Sequence, residues 1–492
     1  MSDLVSLGRA RPAAPAPALA AGPGAAPDMA PSAPAPAPAA AAGPTPRKVF
    51  VHTFGCQANE ADSDRMLELL ARHAYTRAAR PEDADLILLN TCAVRDKAEQ
   101  KLLSALGRYR AVKASRGALI AVAGCVAQQE KERLLKRVPY LDFVFGPDNL
   151  ARLPELLARA EDRERFAETA WMDSEGYLFP RADAGAARGR ATAFVTAMKG
   201  CDNVCAFCIV PHTRGREVSR PFTEVVAECA DLAAVGVREV TLLGQNVNSY
   251  RGGCSFAALL RAVAAVPGLA RIRFTTSHPH DLSDELIQVF RDEPRVTSHF
   301  HLPVQSGSDA VLARMRRDYS VAGYLARHDA LAAARPGLAI TTDFIVGFPG
   351  ETEEDFQASL ALLERARFEG SFCFLFSPRP RTGAARRLGT APEWAEVPRG
   401  VAVARLERLV AAQRRISAGR LRAAEGTVVE VLCEGTSHDP ARRFGRTGDN
   451  RAVHFAAGEA EAPVGALLRV QVVRAGVQVL AGALLGPAGE GR

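Results

Sequence analysis

The chain has 492 residues, 48% of them hydrophobic, with a formal net charge of +7 and ten cysteines. That length suggests about three domains with ample material for cores, and a basic balance suits a polyanionic partner. No apolar run reaches membrane-spanning length and no signal-peptide pattern opens the chain. Cysteines this thinly spread are not a secreted disulfide framework, so a reducing, cytoplasmic setting is the expectation.

Residues 1–46 are nearly all Ala, Pro, Gly and Ser. Such a segment cannot bury enough surface to offset its ordering entropy, which predicts a disordered tail with no catalytic role. Three short apolar runs follow at residues 49–53, 86–90 and 119–123, with helical patterns at 61–73 and 97–112 between them. Strands alternating with helices predict parallel βα units across residues 47–165. Each run leads into a cysteine: Cys56, Cys92 and Cys125. The C-terminal ends of parallel strands share one edge, where ligands bind. The three cysteines are therefore expected to converge in space as a second thiolate triad.

Residues 150–190 turn from helical to irregular and Gly/Ala/Arg-rich, and are expected to connect two domains. The βα alternation then resumes, with strands expected at 194–198, 239–243, 271–275, 298–302, 340–346 and 373–376 and helices such as 223–234 and 353–366. About six βα units across residues 187–420 predict an open, partial (β/α)6 barrel with its site at the C-terminal strand ends. The first of these strands feeds Lys199-Gly200-Cys201-Asp202-Asn203-Val204-Cys205-Ala206-Phe207-Cys208, a CxxxCxxC loop. Three thiolates so close in sequence can wrap one small inorganic object. On a 4Fe-4S cluster they leave the fourth iron open to a small molecule. The same loop suits a zinc knuckle with His212 as fourth ligand, or ordinary loop cysteines. At other strand ends stand Gly244-Gln245-Asn246, Ser277-His278-Pro279, Pro303-Val304-Gln305-Ser306-Gly307-Ser308 and Gly347-Phe348-Pro349-Gly350-Glu351-Thr352. Gly and Pro admit close backbone approach to a ligand, and Gln, Asn and Ser offer directed hydrogen bonds.

Residues 386–422 hold nine arginines against three glutamates with helical apolar spacing. A solvated helix face is the expectation, with nucleic-acid phosphate contact as the alternative. Residues 423–486 change to alternating strands at 428–432, 451–455, 467–473 and 479–484, which predicts a small β-barrel. Arg442, Arg443, Arg446 and Arg451 with Phe444 and Phe455 suggest an RNA-binding face on it. Cys229, Cys254, Cys373 and Cys433 have no partner at ligand spacing and are expected to be buried or incidental. The fold class read from these patterns is α/β with a C-terminal β-barrel.

Several motifs in order carry a resemblance. They are Gly55-Cys56-Gln57, Asn90-Thr91-Cys92-Ala93-Val94-Arg95, Gly124-Cys125, the CxxxCxxC loop, Thr213-Arg214-Gly215, Leu243-Gly244-Gln245-Asn246-Val247 and Gly347-Phe348-Pro349-Gly350-Glu351. Over residues 47–486 the chain resembles the radical S-adenosylmethionine methylthiotransferases. The resemblance implies that Cys201, Cys205 and Cys208 hold one 4Fe-4S cluster, whose open iron is chelated by S-adenosylmethionine. It implies that Phe207, Gly244, Gln245, Asn246, Ser277, Gln305, Ser306, Gly347, Pro349 and Gly350 line the cofactor site. It implies a second 4Fe-4S cluster on Cys56, Cys92 and Cys125 that carries the sulfur to be transferred.

The peptides after Asn90 and Leu243 look like the subgroup that acts on N6-dimethylallyladenosine in tRNA. Other subgroups treat threonylcarbamoyl-adenosine or a ribosomal-protein aspartate. The C-terminal barrel is similar to the tRNA-binding TRAM domain. An electron donor of flavodoxin or ferredoxin type and a sulfur source are implied, and no dimerisation signal is visible, so a monomer is expected. Ala58, His212, Arg381 and Gly383 depart from the residues usual in the family, and none of them is a cluster ligand. A reading of another class is a non-catalytic, metal-containing RNA-binding protein.

Overall fold

The computed structural model describes residues 46–94, 96–172, 177 and 179–489. Residues 1–45 of the expected tail, and Arg95 of the second cysteine motif, lie outside them. Among the described residues no helix is long and apolar enough to cross a membrane.

The first region is a six-stranded parallel sheet of β1 (Arg47–Phe54), β2 (Tyr75–Arg77), β3 (Leu86–Thr91), β4 (Leu119–Gly124), β5 (Phe143–Phe145) and β6 (Phe166–Glu168), in the order β2-β1-β3-β4-β5-β6. Every residue of β3 is buried. Its side chains feed apolar clusters on both faces of the sheet, Ile87 and Leu89 on one and Leu86 and Leu88 on the other, as a central parallel strand requires. The β2, β5 and β6 strands were not legible in the sequence because each is three residues long, too short for periodicity to show.

The second region is an open run of parallel strands in chain order. β7 (Thr192–Thr196) is followed by a two-stranded ribbon of β8 (Met198–Lys199) and β9 (Val218–Ser219). Next come β10 (Glu239–Leu243), β11 (Arg271–Phe274), β12 (His299–His301), β13 (Ala339–Val346) and β14 (Gly370–Leu375). They form the parallel sets β11-β10-β7 and β12-β13-β14, with a parallel bridge between Ile272 and Val296 leading from one set to the next. This is the expected partial barrel of six strands, its core running from Val195 and Val240 to Phe344 and Phe356.

The third region is a closed barrel of β15 (Val428–Thr436), β16 (Arg442–Thr447), β17 (Ala452–Ala456), β18 (Leu467–Ala475) and β19 (Val479–Pro487). The sequence signals β16 poorly because it reads as an arginine-rich turn. In the barrel its inward positions are Arg443, Gly445 and Thr447, and a Cβ at Gly445 would stand 2.1 Å from the Leu432 carbonyl.

Two readings of positive charge are corrected by the packing. Of the expected RNA-facing set, Arg443 and Phe455 are buried inside the barrel and Arg451 is held by Glu369 at 2.9 Å. Arg271 donates to the Arg446 carbonyl at 2.8 Å and pairs with Glu430 at 2.9 Å, while Arg273 reaches the Thr447 carbonyl at 2.6 Å. Arg271 opens β11, and Glu369 immediately precedes β14. The barrel is thus docked on the N-terminal ends of these strands, the pole opposite the cysteine loops.

The arginine-rich helix Arg399–Arg422 is likewise no simple solvated face. Arg405 is buried and pairs with buried Glu351 at 2.9 Å and with Glu353 at 3.1 Å, and Arg408 and Arg420 pair with Glu353 and Glu369. Removing one member of a buried pair strands the other charge, at about 3–5 kcal/mol. Arg405→Met is therefore expected to lower unfolding stability by that order in denaturant titration. Arg405→Lys should recover part of it.

A candidate active site built from two cysteine triads

The first triad sits where β1, β3 and β4 end. Thr91 pairs with Phe54 on one side and with Gly124 on the other, so Cys92 and Cys125 leave the sheet level with each other and Cys56 follows two residues beyond Phe54. Beneath them lies a buried amide layer. Asn59 donates to Asn90 Oδ1 at 3.1 Å, and Asn90 donates to the Asn59 carbonyl at 2.7 Å and to Ser63 Oγ at 3.0 Å. Glycine is required beside this layer. A Cβ at Gly124, where φ is +89°, would stand 2.3 Å from Asn90 Oδ1, and one at Gly55 would stand 2.5 Å from Asn59 Oδ1.

Cys56 caps the helix Gln57–Ala71, and its Sγ lies 3.3 Å from Asn59 Oδ1. A hydrogen bond from the Cys92 thiol, helped by the charge of Arg214, lowers the Cys56 pKa to about 6. The same bond, together with burial, holds Cys92 well above its ordinary value. Cys56 is the exposed member of the triad, and thiolates are the reactive form. In cluster-free protein Cys56 is expected to alkylate fastest of the six triad cysteines at pH 7.5, with its rate halved near pH 6. Peptide mass spectrometry after iodoacetamide pulses reads this directly. A half-point near the ordinary value of about 8.5 would contradict it.

The second triad lies on the loop after β8. Gly200 has φ +74° and its N–H donates to Gln245 Oε1 at 2.5 Å, while the Cys201 N–H donates to the Gly215 carbonyl at 3.2 Å. Burial pushes Cys201 up to about 11 and, with the charge of Cys205, Cys208 up to about 12. Cys205 accepts from Arg317 Nη1 at 3.4 Å and stands 3.9 Å from His278 Nε2. Burial, with Arg317 beside it, lowers the His278 pKa to about 3, so the imidazole is neutral. The histidine beside this loop is thus His278. His212, the expected fourth ligand of a zinc knuckle, is exposed and lies near Arg381 and Arg386. Among the described residues no three His, Cys, Asp or Glu side chains are grouped to hold a single metal ion.

One short element separates the triads. Ile209, directly after Cys208, packs into the core of the first sheet. The helix Val210–Thr213 follows and lies against the helix Cys125–Glu130. Arg214 comes next. It is buried, its Nε donates to Cys125 Sγ at 3.3 Å, and its Nη2 pairs with Asp62 at 2.7 Å. The motif Thr213-Arg214-Gly215 therefore ties one triad to the other.

The model described as "Uncharacterized protein family UPF0004" matches residues 48–146, and that of the "Radical SAM superfamily" matches residues 195–363. A curated protein of Anaeromyxobacter dehalogenans (strain 2CP-C), named tRNA-2-methylthio-N(6)-dimethylallyladenosine synthase, is 74% identical over 485 residues, 98% of this chain and 100% of that protein. The chain belongs to the tRNA-2-methylthio-N(6)-dimethylallyladenosine synthase family. A Myxococcus xanthus (strain DK1622) protein of the same name is 60% identical over 446 residues, 90% of this chain and 95% of its own length. The fold is also that of a radical S-adenosylmethionine methyltransferase from Kitasatospora setae, with TM-score 0.52 at 15% identity over 70% of this chain and 76% of that one.

The residues expected from the sequence to line a cofactor site fall into two groups in the structure. Gly244, Gln245, Asn246 and Ser277 lie at the ends of β10 and β11, beside the cysteine loop. Buried Asn246 Oδ1 and Ser277 Oγ have no hydrogen-bond partner among the described residues, as polar atoms that face a ligand would. Gln305 holds φ +73° in a bridge to Phe344. Phe207 packs against the cluster of Met315, Phe348 and Trp394. In the other group the close approach is to protein. Ser306 Oγ lies 3.5 Å from Ser359 Oγ and accepts the Ser308 N–H, the Gly347 N–H is taken by Glu351, and a Cβ at Gly350 would stand 2.2 Å from the Glu393 carbonyl. Pro349 belongs to that same turn. Arg381, at a position where the family usually has Gly, carries φ +67°, a backbone that costs a side chain about 1–2 kcal/mol.

The sequence alone gives no sign of the contacts made by Arg214, Arg317 and Asp62. Arg317 is buried beside Cys205, 112 residues away, and no spacing rule signals such a contact.

Proposed function

We propose that this chain adds a methylthio group to carbon 2 of N6-dimethylallyladenosine next to the anticodon of tRNA. The observation that carries the reading is the meeting of two three-cysteine sets across one short helix, with Arg214 of the second region bonded to Cys125 of the first. In this reading Cys201, Cys205 and Cys208 hold one 4Fe-4S cluster and Cys56, Cys92 and Cys125 a second, each with one iron open to a small ligand. The residues fit such guests. Arg317 is a buried cation whose partners among the described residues are Cys205 Sγ, Tyr319 Oη and the Pro303 carbonyl, none of them a carboxylate, so an anionic thiolate-bound cluster balances it.

When bound, the clusters and S-adenosylmethionine supply the electron, the carbon-centred radical and the sulfur. A radical route suits a C–H bond too weakly acidic for a side-chain base. The protein's own task is to hold and shield. Gly244, Gln245, Asn246 and Ser277 present polar atoms to S-adenosylmethionine. Gln305 and Phe207 flank them, and Ser306, Gly347, Pro349 and Gly350 shape the turns behind. Neutral His278 and buried Arg317 keep hydrogen-bond donors at Cys205 with no mobile proton. Ile209 and the helix Val210–Thr213 keep the seam between the triads dry.

The C-terminal barrel acts as the TRAM-like RNA-binding module. From its position at the far pole of the strands it grips tRNA away from the anticodon loop that enters the seam. Both triads come from one chain, so a monomer suffices. A flavodoxin- or ferredoxin-type donor and an external sulfur source serve it in the cytoplasm, where tRNA is found. The test is nucleoside mass spectrometry of tRNA from cells with and without the gene. Loss of the methylthio form with accumulation of N6-dimethylallyladenosine is expected, and an unchanged pair would overturn the substrate.

A further inference from the structure

The strap that joins the first sheet to the partial barrel carries a side chain that neither triad needs. Trp171 is 44% exposed, yet the backbone around it is clamped on both sides. Gln128 Nε2 donates to the Thr169 carbonyl at 2.9 Å, Asn149 Nδ2 to the Ala170 carbonyl at 3.1 Å, and the Met172 N–H to Asp148 Oδ2 at 3.1 Å. Asp148 in turn holds Lys199, the residue that opens the CxxxCxxC loop, at 2.6 Å. The indole lies on the backbone of Gly215, where φ is +77° and a Cβ would stand 3.0 Å from the ring. Gly215 accepts the Cys201 N–H, and its neighbour Arg214 donates to Cys125 Sγ. An aromatic ring is thus fixed over a peptide tied to both triads, while much of its surface stays open to solvent.

We propose that Trp171 is a stacking platform for a nucleobase of the substrate RNA, flanking the base that enters between the triads. The proposal rests on the reading that this chain acts on RNA. Extruding a base for chemistry leaves its neighbours without a stacking partner. An aromatic face restores one for any base, because every base has a π face. A ring kept only to cover Gly215 would gain nothing from staying exposed, and a floppy surface tryptophan would not need three polar clamps.

The chain has two tryptophans. The other, Trp394, is buried against Phe348, so in cluster-loaded Trp394→Phe protein the emission reports on Trp171. The probe is a synthetic anticodon stem-loop carrying N6-dimethylallyladenosine. Its addition is expected to quench that emission with the same midpoint as fluorescence anisotropy of the labelled RNA. Trp171→Ala is expected to weaken RNA binding by about 10- to 100-fold and to raise KM more than it lowers kcat. Trp171→Phe should bind within a few-fold of wild type. RNA that binds and is methylthiolated while Trp171 emission stays unchanged overturns the platform alone, as does undiminished affinity in Trp171→Ala. Failure of the wild-type protein to bind or modify the RNA overturns the functional reading and the platform with it.

Discussion

Cys56→Ala is expected to leave S-adenosylmethionine cleavage running while sulfur insertion stops. The two triads hang on different frames, Cys56 on the cap of a helix in the first sheet and Cys201 on a loop pinned to Gln245 and Gly215. Removing Cys56 changes nothing in that loop or in the Arg317 and His278 contacts of Cys205. Partners one shell removed from a metal cost about 10- to 100-fold when lost, so loss of a ligand should lower the methylthio product by more than about 100-fold. Chromatography of 5′-deoxyadenosine and of the tRNA nucleosides from one reaction measures both activities. Cleavage lost together with insertion would mean that the triads do not act separately. Insertion surviving would remove Cys56 from the sulfur-carrying site.

Gly200→Ala should sharply lower both activities without touching a cysteine. Its φ of +74° is unfavourable for any side chain, and its Cβ would stand 2.0 Å from the Arg216 carbonyl. That atom belongs to backbone, so no side-chain rotation relieves the clash. The loop must shift, and Cys201 shifts with it. A misplacement of about 1 Å costs on the order of 100-fold in rate. S-adenosylmethionine cleavage is expected to fall by that factor, while the absorbance of the other triad's cluster is retained. Gly189→Ala is a control, because φ there is also positive, at +80°, but a Cβ would meet nothing within 4 Å.

Much of this arrangement is legible in the sequence for a physical reason. Parallel strands bring their C-terminal ends to one edge, so apolar runs that each lead into a cysteine specify a convergent triad even with 35 residues between Cys56 and Cys92. The CxxxCxxC loop declares itself by spacing alone. Contacts that depend on how the regions pack stay hidden. Arg214 could be quoted as part of a motif, but its reach to Cys125 depends on Ile209 plugging into the first sheet. The arginines of residues 442–451 look like an RNA face in sequence. Strand alternation turns Arg443 into the barrel, and docking hands Arg451 to Glu369. Arg405 reads as one charge in a basic run until Glu351 is found buried beneath it.

The central claim is that both triads hold clusters at once, and iron and sulfide analysis of anaerobically purified protein tests it most directly. About eight irons and eight sulfides per chain are expected for the native sequence, with about four of each when either triad is replaced by alanine. Protein carrying about four irons that are indifferent to Cys56, Cys92 and Cys125, or zinc in place of iron, would contradict the account.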